Sequence, residues 1–144
     1  MPPLAFVLWI VSVRGRVIAR TSSNTAPDLP RIRYLDETPL AAGEFVSDTG
    51  LKTVLAALAE APKHMLLPIH AARFEDGELT FVLAGEGETR PQLLLGEPAD
   101  VRTKLRVAAL VLRKLGAEEL AALTYLDVSL PDRPVASTNP QVSS

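Results

Sequence analysis

The sequence predicts an α+β fold, a mainly antiparallel β-sheet with two amphipathic helices packed on it. Three observations carry that expectation. Two segments, 47–61 and 98–115, repeat apolar residues at intervals of three and four, the period of one helix face. Short runs of Val, Ile, Leu and aromatic residues, bounded by Gly, Pro, Asp and Asn, occupy much of the remainder and read as strands. The third is balance: 144 residues, 47% hydrophobic and 22% charged, suit one globular domain better than a disordered chain or a coiled coil.

The run Leu4–Val13 is expected to be a buried strand. It is shorter than the roughly 20 residues a membrane span needs, and it lacks the basic start and small-residue cleavage site of a signal peptide. Arg14-Gly15 then reads as a hairpin turn, with Arg16–Ala19 as the return strand. Ser, Thr, Asn, Asp and Pro between Thr21 and Pro30 mark a loop before a brief strand at Arg31–Leu35, and 38–43 is a second connection. The helix over Ser47–Ala61 places Leu51, Val54, Leu55 and Leu58 on one face, with Ser47 or Asp48 as N-cap and Pro62 just past its end. Leu66–Arg73 and Glu78–Ala84 are strands joined by a turn at Asp76-Gly77, and Gln92–Leu95 completes a meander after the turn 85–90. Pro98 is expected in the first turn of the next helix, whose face carries Val101, Leu105, Ala108, Leu112 and Leu115, with Gly116 as its stop. One further helical turn at 118–122 precedes the closing stretch LTYLDVSLPDRPVAS, residues 123–137, read as a strand, a proline-bracketed turn and a second short strand. The domain is expected over 1–138, with 139–144 as a disordered polar tail.

A net charge of −2 gives no basic footprint for holding nucleic acid through its phosphates. The absence of cysteine removes disulfides, thiolate metal sites and cysteine nucleophiles together. His64 and His70 are six residues apart, a spacing that brings them together on neither a helix nor a strand, so no metal site is expected. The run Gly85-Glu86-Gly87-Glu88 lacks the Lys-Ser/Thr of a phosphate loop, and its glutamates would repel a phosphate. Glu75, Asp76 and Glu78 flank a turn where water screens them, and no Gly-x-Ser-x-Gly elbow is present. Arg102, Lys104, Arg106, Arg113 and Lys114 read as the solvated face of the second helix. No catalytic residue and no cofactor are expected, and the chain reads as non-enzymatic.

Three features in order point to a family: Leu93-Leu94-Leu95-Gly96 before a helix, Lys104-Leu105 within it, and Tyr125-Leu126-Asp127-Val128-Ser129 with the closing Pro131–Val135. Gly15-Arg16-Val17-Ile18, preceded by Arg14 where an acidic residue is usual, and the step Leu29-Pro30 add to them. The chain thereby resembles the C-terminal extracytoplasmic β domain of the FtsQ/DivIB bacterial cell-division proteins. Members carry a cytoplasmic tail, one transmembrane helix and a POTRA domain ahead of this β domain, so the resemblance implies an excised portion of a membrane-anchored protein. It also implies a divisome scaffold on the outer face of the cytoplasmic membrane, acting in septum assembly. The partners would be FtsB/DivIC-like and FtsL-like proteins, with one strand added by β-augmentation at the closing edge strand. The matching positions are Leu130, Arg133, Pro134, Val135, Ala136, Ser137 and Thr138.

Proline is confined to edges and bulges of sheets, so Pro134 fits an edge strand at 133–138. Two readings of that edge are open, a template for a partner strand or an edge guarded by Pro131 and Pro134 against aggregation. Asp127 is expected to be structural, pointing away from the core between Leu126 and Val128 and bonding the turn at Asp132-Arg133. The alternative function is a small-molecule-binding or regulatory domain with a cleft between helices and sheet.

Overall fold

The computed structural model describes residues 8–12, 14–21, 31–34, 41–65, 67–85 and 90–138. Their order is β1 (Leu8–Val11), β2 (Val17–Thr21), β3 (Arg31–Tyr34), α1 (Thr49–Glu60), β4 (Ile69–Glu75), β5 (Glu78–Leu83), β6 (Gln92–Gly96), α2 (Val101–Lys114), α3 (Ala117–Ala122), β7 (Leu123–Asp127) and β8 (Val135–Thr138). The α+β expectation holds, with the long helices as amphipathic layers. Residues 4–7, the loop 22–30 and the tail 139–144 of the sequence reading lie outside the described residues.

Strands β1 and β2 form the expected antiparallel hairpin. The other six make one sheet in the order β3-β4-β5-β6-β7-β8. Its meander, β4 to β6, is antiparallel, and the Asp76-Gly77 turn has φ of +52° and +77°, the left-handed pair that matches the twist of a two-residue hairpin. Two pairings depart from the antiparallel expectation. β3 runs parallel to β4 and β6 parallel to β7, because parallel neighbours need a crossover and α1 and α2 supply one each.

Asp48 caps α1 by accepting from the Leu51 amide at 3.0 Å, which resolves the choice between Ser47 and Asp48. The four apolar residues expected on one face serve two cores. Val54 and Leu58 join Leu79, Phe81, Leu83, Leu93, Leu95, Leu105, Leu126 and Val128 between helices and sheet. Leu51 and Leu55 pack with Val17 and Val46 under the hairpin, and half-buried Ile32 touches both groups. A strip of residues three and four apart is wide enough to be shared in this way.

Two helix boundaries differ from the sequence reading. Pro98 lies before α2, whose N-cap is Asp100 in a left-handed conformation (φ +55°), so the helix starts later than the proline suggests. Gly116 does not close α2 with a positive φ: Leu115 ends it in extended conformation, and Gly116 becomes the N-cap of α3, its amide donating to Glu119 Oε1 at 3.2 Å.

Candidate functional site

The site singled out by the sequence falls on β8 and the connection leading into it. β8 is the last strand of the sheet and has a described neighbour on one side alone, β7. It begins at Val135. Arg133 and Pro134, expected within the strand, belong to the turn, where the Arg133 amide donates to the Leu130 carbonyl at 2.9 Å. Proline at 134 has no N–H to extend the ladder, which is why pairing starts one residue later.

Backbone directions at the edge follow from one bond. The Val128 amide donates to the Leu94 carbonyl of β6 at 2.9 Å, so alternate residues Leu126 and Val128 turn their backbone groups toward β6, and Tyr125 and Asp127 toward β8. Their register partners Ser137 and Val135 therefore turn inward to β7, and Ala136 directs its N–H and C=O outward. Around this open edge Leu130 is 66%, Val135 51% and Tyr125 37% exposed. Sheet face and edge thus meet in an apolar border. Leu126, one place along β7, is fully buried, as period-two alternation requires.

The approach to β8 is fixed by Asp127 and Gly96. Asp127 does not reach the turn at Asp132-Arg133; its Oδ1 accepts from the Ser129 amide at 2.9 Å and from Ser129 Oγ at 2.6 Å, a local turn closed by a carboxylate. Ser129 in turn sits against Gly96, which has φ +67°, and a β-carbon built there would lie 2.7 Å from Ser129 Cβ. Only glycine suits both the backbone and the gap. A further bond, from Thr124 Oγ1 to the Ser137 carbonyl at 2.7 Å, ties β7 to β8 beside the irregular register at Leu123/Tyr125.

The remaining residues weighed in the sequence are dispersed. His64 bonds Glu60 at 3.1 Å and His70 is exposed on β4. Among the described residues no cluster of three or more His, Asp or Glu could hold a metal ion. Glu75, Asp76 and Glu78 are exposed at their turn, and 86–89 lie outside the described residues. Arg102 joins Glu60 across 3.1 Å, linking α2 to the end of α1. The Glu60 carboxyl is held below its ordinary 4.5, chiefly by the His64 bond and then by Arg102 and Lys63, which outweigh the opposing effect of burial.

Lys104 corrects the reading of α2 as carrying five solvated cations. It is 5% exposed, and its ammonium donates to the Glu97 carbonyl at 2.8 Å. The long side chain reaches back along the helix to the β6–α2 connection, so it closes that connection over the core. Arg106, Arg113 and Lys114 are exposed as expected. No described helix is long and apolar enough to cross a membrane. No protein-family model matches the sequence, and no curated protein matches it.

Proposed function

We propose that this chain is a non-enzymatic interaction domain that accepts one partner strand at β8, and that it acts as the FtsQ/DivIB-like β domain of a divisome. The observation that carries the proposal is the uncharged edge of β8, which has a described neighbour on one side alone. β8 is Val-Ala-Ser-Thr, without charge or internal proline, and Ala136 offers an outward donor and acceptor beside exposed Leu130, Val135 and Tyr125. Proline at 134 guards the entrance to the strand and leaves its middle open. That is the surface a partner strand uses, with backbone bonds for affinity and alternate side chains for specificity.

The partners, FtsB/DivIC-like and FtsL-like proteins, and the location on the outer face of the cytoplasmic membrane, follow from the family resemblance of the 93–96, 104–105 and 125–135 motifs. The test is a titration of the domain with a peptide from the membrane-distal end of the source organism's own FtsB/DivIC-like protein. Saturable binding is expected. Ala136→Pro, which removes an outward N–H, should weaken it about 5- to 150-fold, since a lost intermolecular hydrogen bond and its unpaired partner are worth roughly 1–3 kcal/mol. Val135→Pro removes an inward bond to β7 and should instead loosen β8 in the free domain. A folded domain that ignores the peptide, or an Ala136→Pro variant that binds unchanged, would sink the reading.

A further inference from the structure

A second surface lies where the hairpin meets α1. We propose that the groove between them binds an extended peptide segment of a partner protein that combines acidic and apolar residues. The inference is independent of the β8 reading.

Four observations converge there. First, an open surface depression of about 430 Å³ is lined by Arg14, Phe45, Val46, Lys52, Leu55 and Ala56 among others. Second, residues 44–46 follow a turn at Gly43 and form a rim laid against the hairpin: the Val17 amide donates to the Glu44 carbonyl at 2.8 Å and the Val46 amide to the Gly15 carbonyl at 2.6 Å. Alternation then turns the Phe45 amide away from β2, and among the described residues no group accepts from it. Third, the floor is apolar, formed by buried Val46 and Leu55 with Ala56, and Phe45 stands 65% exposed at its border. Fourth, both cations of the lining, Arg14 and Lys52, have no carboxylate partner among the described residues.

These features select a ligand chemistry. An extended backbone supplies a carbonyl to the Phe45 amide. An apolar side chain of the same segment covers Leu55 and Ala56 and removes part of the Phe45 ring from water. Carboxylates on neighbouring residues answer Arg14 and Lys52, with Arg14 able to take one bidentately. A basic segment would meet Arg14 and Lys52, two like charges without an ion-pair partner among the described residues, so the groove discriminates by repulsion as well as by attraction.

The experiment is an NMR titration of the isotope-labelled full chain with acetyl-Glu-Leu-Glu-Phe-amide, alongside acetyl-Lys-Leu-Lys-Phe-amide and phosphatidylglycerol vesicles. Saturable shifts of the Gly15, Phe45 and Ala56 amides are expected with the acidic peptide and not with the basic one. Arg14→Glu/Lys52→Glu should bind about tenfold more weakly. Ala56→Trp keeps both cations and fills the groove, and it should lose binding as well; its spectrum away from the groove reports that the fold is kept. Equal responses to both peptides, or no saturable shift, overturn the proposal. A response to vesicles without a response to the acidic peptide also overturns it, and would mark the face as membrane-binding.

Discussion

Single residues decide how β8 is presented. Gly96 is the tightest of them, since its positive φ and the 2.7 Å approach to Ser129 Cβ leave no room for a side chain. Gly96→Ala is expected to destabilise the fold by at least about 2 kcal/mol, combining the left-handed penalty with local overpacking. Urea unfolding measures it, and a loss under about 0.5 kcal/mol would mean that the Ser129 loop moves aside freely. Glu60 gives a prediction with a sign. A carboxyl whose folded pKa is depressed adds stability above its unfolded value, and that stability disappears as pH falls through the lower, folded one. Glu60→Gln should therefore melt below the parent at pH 7, with the gap closing as pH drops beneath 4.5 and toward the folded value. A gap that stays constant through the acid range would place the residue's effect in packing. Neither role was legible in the chain. Asp127 could be read as structural from its apolar neighbours, but its partner depends on a turn geometry that spacing does not encode, and Lys104 looks like any helix cation until the Glu97 carbonyl is seen within reach.

At the level of elements, the apolar period located both long helices and the Asp-Gly pair located the β4–β5 turn, because these signals are local. Sheet order was less accessible. Parallel pairing of β3 with β4 and of β6 with β7 is set by how the crossovers pack, which involves residues far apart in sequence. The edge position of the last strand was legible through Pro134, whereas its start at Val135 and the outward direction of Ala136 required the β6–β7 bond. The proline pair described above separates these: substitution at 136 should alter binding with little change in the free domain, and substitution at 135 should expose the β7 amides of Tyr125 and Asp127 to hydrogen exchange. The hairpin groove was not legible at all. Its cations come from a turn and a helix that the sequence separates by 38 positions, Arg14 to Lys52.

For the whole molecule, two apolar groups share one helix, and they need not share one stability. The smaller, Val17, Val46, Leu51 and Leu55, is the main attachment of the hairpin. Leu55→Ala should cost about 2–5 kcal/mol within that group. Hydrogen exchange should then quicken at the Val17 and Val46 amides, with little change at Leu83 and Val128, whose bonds to Pro91 and Leu94 lie in the large sheet. Phe81→Ala, in the centre of the larger group, should quicken all four. Uniform quickening in Leu55→Ala would show instead that hairpin and sheet open as one unit.

The parallel pairing of β6 with β7 also has a kinetic meaning. The meander joins neighbours through short turns and can form early, but β7 is seated only after α2 and α3 have closed a long loop, a contact whose entropy must be spent before it is rewarded. β8 has no template until β7 is in place. An incompletely folded chain therefore has no finished edge to offer, and a strand docking there as proposed would select only molecules that have completed their folding.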